Sequence, residues 1–496
     1  MAGELKEKVA RGVAWSMAEK IGSMLLALAV RLVILRLLTR DILGYMSIPS
    51  AVVTVLLVMV DGGFSQSLIR HRNPGDYDYK SVFLFNIIVA AVLYVALVAL
   101  APLTAEWYGM PDIERIAPVF FLLLPINALC TVQNSIFTRQ FRFALLSKVT
   151  FFSSLVGGLA AIGLALAGWG IWALVAERVL AAAVRAALLW GLSDWRPRGG
   201  CGWRPIREMA PFSCSLMATD LISTFYNKIP QLILGKLYPA PVLGSFDQAV
   251  KIKDMPATTG MQAIQSVTFP ALAKIRDDAP KFAESYRQVV MIVAYVMFPV
   301  MVGMAAVAHD MFAVFLGQEW MPTVPYFEVI CLSGLFYPVG QVAYNVLKVE
   351  SRGPLIVRLE ILKKVLMTVV FAVTIPRSVM AVVWGLVVIS LCEMGINFWA
   401  TRRFTEYTTR RFLRTLLPIV LVTGAMYLAV RGVALLVGGG DLVRLVAELA
   451  VGVAVFVGLS ALFRLEAFRE VCELVKQQIS HRSEERRVGK ECRSRW

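Results

Sequence analysis

LVILRLLTRDILGY, residues 32–45, has a counterpart two hundred positions later in LILGKLYPAPVLGS, residues 232–245. At that offset Leu32/Leu232, Leu37/Leu237, Leu43/Leu243 and Gly44/Gly244 are identical, and Arg36/Lys236 keeps a positive charge. Val33/Ile233 and Ile34/Leu234 are conservative. In both segments an apolar stretch closes on a basic residue, and Leu-Gly opens the next one. Each segment alone reads as a junction between two membrane helices. Together they say that the chain contains one helical arrangement twice.

The composition around these segments agrees. Of 496 residues, 58% are hydrophobic and 17% charged, with a mean hydropathy of +0.68. Soluble chains carry roughly 25% charged residues, so a soluble multidomain enzyme and a disordered chain are both excluded. Apolar runs of about 20 residues, the length that crosses a bilayer core, recur along the chain. Fourteen are expected: 13–38, 44–69, 81–103, 116–137, 145–167, 170–191, 211–235, 243–272, 287–307, 323–347, 355–375, 378–400, 412–432 and 442–463. The first, second, seventh, eighth and eleventh are interrupted by polar residues.

Lys and Arg alternate between successive loops, twenty-four on one side against five on the other, the five being Arg40, Arg115, Lys236, Arg377 and Arg431. Positive residues gather on the cytoplasmic side, which predicts that both termini are cytoplasmic. The net charge of +16 is then a topology signal and not a sign of nucleic-acid binding. The first apolar stretch is a full span with charges in it, so no cleavable signal peptide is expected. The seven cysteines are scattered and read as packing residues. His71, His309 and His481 lie outside the expected spans, which argues against a metal site or histidine relay, and no cofactor is expected.

An offset of six helices returns the chain to the same side of the membrane, so the repeats are parallel. The fold class expected is an all-α polytopic membrane protein, two six-helix lobes around a central cavity plus two extra helices. The divisions are 1–208 (first lobe with a basic linker), 209–408 (second lobe), 409–463 (the added pair) and 464–496 (a cytoplasmic tail). Residues 483–496, SEERRVGKECRSRW, are foreign in character to the rest.

Helical periodicity places the polar residues on stripes. In the eighth span Asp247, Lys251, Asp254, Thr258, Gln262 and Gln265 follow at steps of three and four, one continuous face. The seventh carries Asp220, Thr224, Asn227 and Gln231, with Lys228 beside them; the first carries Lys20 and Arg31. The second, fourth and tenth add Asp61, Asn134 and Gln341 to similar faces. Charge facing hydrocarbon costs at least a few kcal/mol, so these faces look into protein or water. Neutralisation within one helix, Asp247 with Lys251 and Lys251 with Asp254, is the plainer alternative. Cations in a cavity suit phosphate oxygens, so Lys20, Arg31, Lys228 and Lys251 are the candidates for an anionic substrate. Asp220, Asn227, Asp247, Asp254, Gln262, Asn134 and Gln341 are the candidates for the polar lining and for ion or proton coupling.

Several of these segments resemble a known family. ILRLLTRDILGY (34–45) with VDGGFSQSLIRH (60–71), and PQLILGKLYPAPVLGSFDQAVKIKDMP (230–256) with FPALAKIRDD (269–278), are similar to bacterial polysaccharide and O-antigen flippases. Those belong to the multidrug/oligosaccharidyl-lipid/polysaccharide exporter superfamily, and the resemblance covers roughly residues 10 to 410. It implies a fourteen-helix, two-lobe carrier in the bacterial inner membrane that moves an undecaprenyl-pyrophosphate-linked oligosaccharide across the bilayer by alternating access, coupled to H⁺ or Na⁺. Polysaccharide polymerase and chain-length machinery would be its partners. Two positions depart from the pattern: Pro230 stands where many relatives carry Asp, and Phe246-Asp247-Gln248-Ala249 where they often show Tyr-Ser-Arg-Ala. A drug exporter of the same superfamily is the alternative, disfavoured by lysines among the cavity candidates. A membrane glycan polymerase is weaker still, because Asp76-Tyr77-Asp78 sits in a short loop with no soluble domain beside it.

Overall fold

The computed structural model of the chain describes Gly22 and residues 28–275, 278–350, 353–405 and 407–473, the side chains of 259–271, 273, 274, 353 and 354 excepted. The described residues form α-helices joined by short loops, with no strand among them. After a helical stretch at 28–37 the helices are α1 Arg40–Asp61, α2 Phe64–Arg70, α3 Asp76–Tyr108, α4 Asp112–Phe120, α5 Leu123–Arg139, α6 Phe143–Leu166, α7 Ile171–Leu192 and α8 Trp203–Leu237. They continue with α9 Ala240–Lys274, α10 Ala279–Ala306, α11 Ala308–Phe315, α12 Val324–Val349, α13 Gly353–Thr374, α14 Val379–Thr401, α15 Thr409–Leu436 and α16 Asp441–Leu462. A 3-10 segment, Gln318–Thr323, precedes α12.

The expected count of fourteen crossings is not reproduced. Among the described residues nine helical stretches are long and apolar enough to cross a membrane by length and composition. The expected sixth, seventh, eighth and eleventh spans are helices, α7, α8, α9 and α13, but polar residues interrupt them and they fall outside that set. Most of the expected first span lies outside the described residues.

Two expected spans are broken, each for a local reason. The second divides into α1 and α2 at Gly62 and Gly63, whose φ of 57° and 72° are left-handed, a conformation glycine enters without steric cost. The Asp61 carboxylate accepts a hydrogen bond from Ser65 across that break, so Asp61 serves the turn. The fourth divides into α4 and α5 ahead of Pro125, which has no N–H to give Phe121 and crowds its carbonyl. Asp78 of the Asp-Tyr-Asp string accepts from the Gly75 N–H at 2.9 Å and caps the start of α3.

The chain divides into two compact units, Met1–Asp247 with Phe315–Trp320, and Gln248–Val314 with Met321–Trp496. In the first, Phe64, Leu68, Val82, Phe83, Val132 and Met209 form a buried apolar cluster. The small residues of α6 let a neighbour in: a Cβ on Gly157 would meet the Glu177 carbonyl oxygen of α7 at 2.5 Å. The segment 315–320 is tied to this unit by Trp320, whose Nε1 donates to the Leu35 carbonyl at 2.6 Å, and by Glu319, 3.2 Å from Arg40 Nε. The second unit is built on a larger cluster running from Phe282 and Tyr286 of α10 through Val342 and Val346 of α12 to Phe412 and Met426 of α15.

The repeat noted in the sequence becomes a contact inside the first unit. A Cβ on Gly44 would lie 1.9 Å from the Ala240 carbonyl oxygen, and one on Gly244 2.2 Å from that of Arg40. Positions 40 and 240, like 44 and 244, are repeat mates, so α1 gives α9 the same contact that it receives. Such reciprocity is the mark of a two-fold relation between packed surfaces.

Candidate functional site

Three residues beyond the glycine crossing, the same two helices carry Ser47 and Asp247, another pair at the repeat offset. Asp247 is fully buried. Its carboxylate accepts from the Ser47 hydroxyl at 3.0 Å and from the Gln231 amide of α8. Arg31, the repeat mate of Gln231, interacts electrostatically with Asp247, Glu177 and Arg178. Two pairs of related positions, 31/231 and 47/247, thus supply one polar cluster, all of it within the first unit. The sequence assigned Arg31 to the substrate and Asp247 to coupling; in the structure Arg31 lies within electrostatic reach of Glu177, Arg178 and Asp247. An opposite charge within electrostatic reach offsets part of the cost of burying the Asp247 carboxylate. The Asp247 substitution in the family-like segment therefore brings a carboxylate to a site that already holds a cation.

The remaining candidates of the first unit lie apart from this cluster in their contacts. Asp220 and Asn227 are exposed on α8, and Lys228 is half-buried. Asp220 lies within electrostatic reach of Asp61. On α5, the Asn134 amide oxygen accepts from Arg185 Nη2 of α7 at 3.3 Å. In the second unit, Lys251 is half-buried, and Asp254 forms an ion pair with its neighbour Lys253 at 2.6 Å. Gln341 is half-buried on α12. Lys20 and the Gln262 side chain lie outside the described residues.

Sequence reasoning placed Tyr344 and Lys348 on the polar face of the tenth span and missed what α13 and α14 bring to them. Lys363 of α13 is 5% exposed and pairs with Glu360 at 2.7 Å. Its ammonium stands 4.9 Å from the Tyr344 ring centre, and that of Lys348 stands 4.6 Å from the same ring. Two cations share one aromatic face system, whose negative quadrupole attracts both. Glu393 of α14 interacts with Lys363, Lys364 and Glu360. The signal was present in Arg358-Leu-Glu360-Ile-Leu-Lys363-Lys364, four charges inside an apolar run. In the first unit Asn86 and Gln133, on α3 and α5, are fully buried with no hydrogen-bond partner for either amide. Among the described residues no group of three His, Cys, Asp or Glu side chains is placed to hold a metal.

The chain is similar to the succinoglycan biosynthesis transport protein ExoT of Rhizobium meliloti, 23% identical over 331 residues, 66% of this chain and 67% of that one. It is also similar to the teichuronic acid biosynthesis protein TuaB of Bacillus subtilis, 23% identical over 385 residues, 76% of this chain and 79% of that one. Among solved structures, the lipid II flippase MurJ in its inward closed conformation superposes with a TM-score of 0.75 over 93% of this chain and all of its own, at 11% identity. That likeness describes a shared helical fold and nothing of the cargo. Residues 33–325, more than half of the chain, match the family described as polysaccharide biosynthesis protein, and the chain belongs to that family.

Proposed function

We propose that the protein is a flippase that carries an oligosaccharide linked to undecaprenyl pyrophosphate across the bacterial inner membrane for surface-polysaccharide synthesis. What supports this reading is the recurrence of Lys and Arg within the helices of a chain whose fold matches a lipid II flippase over 93% of its length. Arg31, Lys228 and Lys251 of the sequence reading, and Lys348 and Lys363 beside Tyr344, are cations on such helices. A pyrophosphate needs donors of this kind, and the sugars need the polar faces around them. The lipid tail stays in the bilayer. Both lobes alternate access around a central cavity, the termini lie in the cytoplasm, and H⁺ or Na⁺ entry resets the carrier. A polymerase and chain-length machinery receive the product. No catalytic step is assigned to the chain.

The test is transbilayer movement of a pyrophosphate-linked lipid in proteoliposomes, with Lys20, Arg31, Lys228, Lys251, Lys348 and Lys363 replaced singly by Gln. A charge-assisted hydrogen bond to phosphate lost from the site lowers the rate by about tenfold or more. Absence of movement by the unaltered protein overturns the flippase reading. Full movement by every variant overturns the cationic site alone.

A further inference from the structure

At the end of the second unit away from the basic loops, two carboxyl groups are buried against each other. Asp310 of α11 and Glu448 of α16 are each 2% exposed. They lie within hydrogen-bond reach of one another. Asp310 Oδ1 is occupied twice, by His309 Nδ1 at 3.0 Å and by Arg444 Nη1 at 3.5 Å. Asp310 Oδ2 and Glu448 Oε2 have no donor at all, and neither does Arg444 Nε have an acceptor. A carboxylate offers only acceptors, so two of them in contact have nothing to exchange unless one is protonated.

The surrounding charges give the same result. Arg444, one turn before Glu448 on α16, contacts the pair through Asp310. Arg431 of α15 also faces Glu448 electrostatically, but it is engaged by Glu328 of α12, with Tyr427 hydroxyl 3.3 Å from its Nε. His309 is largely exposed and needs no charge for its bond. With both carboxyls ionised, the set Asp310, Glu448 and Arg444 carries one uncompensated buried negative charge. With one proton it is neutral. Like charges this close cannot both remain ionised in a dry site.

We infer that Asp310 and Glu448 form a proton-binding site that clasps α11 to α16, closed while one proton is held between the carboxyls and loosened when it leaves. The proton is bound more tightly by the closed form than by the open one. The stabilisation is therefore present at low pH and is lost as pH rises. α11 follows α10 directly and leads through Gln318–Thr323 to α12, so the clasp fastens the α10–α12 connection to the closing helix hairpin.

Two measurements on the full chain in proteoliposomes test this, and neither uses transport, so their outcome is separate from that of the flippase reading. Infrared titration of the unaltered protein should show a buried carboxylic C=O band that disappears as pH is raised, and that Glu448→Gln and Asp310→Asn abolish. Amide exchange at 308–315 should match between unaltered and Glu448→Gln protein at low pH. At higher pH the unaltered protein should exchange faster, by up to about tenfold per pH unit, the slope of one linked proton. Glu328→Gln, which frees Arg431 to face Glu448, should make the band disappear at lower pH than in the unaltered protein. Persistence of the band in both variants, or protection that follows Na⁺ and not pH, overturns the proposal. If Glu448→Gln does not fold, absence of any titrating carboxylic band in the unaltered protein overturns it equally.

Discussion

A methyl group at Gly44 would press into the Ala240 carbonyl and one at Gly244 into that of Arg40, at 1.9 and 2.2 Å. Backbone cannot step aside as a flexible side chain can. Gly44→Ala and Gly244→Ala should each destabilise by about 1–3 kcal/mol or more through overpacking, and by similar amounts because the contact is reciprocal. Gly163→Ala, which meets open space inside α6, should leave thermal unfolding in detergent unchanged or slightly raised. Equal behaviour of all three would remove the case for a packed crossing. At Asp247 the expected outcome is graded. Asp247→Ala strands the buried Ser47 and Gln231 donors, a loss of about 1–3 kcal/mol for each, and Asp247→Asn loses less. The glycines were visible in the sequence because the repeat aligned them. The meeting of Ser47 with Asp247 was not, because helical periodicity places a residue on a face and says nothing about which distant face it meets.

At the scale of elements, short helices depend on what closes their ends. α2 has seven residues, and its last carbonyls are taken by Arg139 of α5, whose Nη1 lies 2.9 Å from Leu68 O, 3.0 Å from Ile69 O and 2.6 Å from His71 O. Arg139 is one of the twenty-four basic residues that the sequence assigns to the cytoplasmic side, and in the structure it also caps α2. Arg139→Gln should cost about 1.5–3 kcal/mol and raise amide exchange in residues 64–71, with Arg139→Lys restoring only part, since an ammonium lacks the planar fork. Unchanged exchange in 64–71 would show that α2 closes without it. The break at Gly62-Gly63 has a turn signal in DGGF, which the expected span 44–69 ran through. The break before Pro125 was obscured by apolar residues on both sides, which made one continuous run of hydropathy.

For the whole molecule, the charge asymmetry makes a prediction about sidedness. Cysteines introduced at Arg198 and Arg377, both exposed, should react with an impermeant thiol reagent from opposite sides of the membrane, Arg198 from within the cell. Labelling from one side only would contradict the alternation of loops and the crossing number behind it. The helices α7, α8, α9 and α13 matter most here, because their polar residues set them outside the nine apolar spans. They also hold Arg185, Gln231, Asp247 and Lys363, each engaged by side chains of the same unit. The sequence by itself determined the all-α class, the repeat and the distribution of positive charge among loops, because hydropathy, periodicity and offset are properties of position along a line. Only the tertiary structure decided which charges meet. The Ser47–Asp247 bond and the Asp310–Glu448 pair join residues far apart in the chain, the Lys348–Tyr344–Lys363 group joins neighbouring helices, and each depends on where helices cross and how each is rotated about its axis.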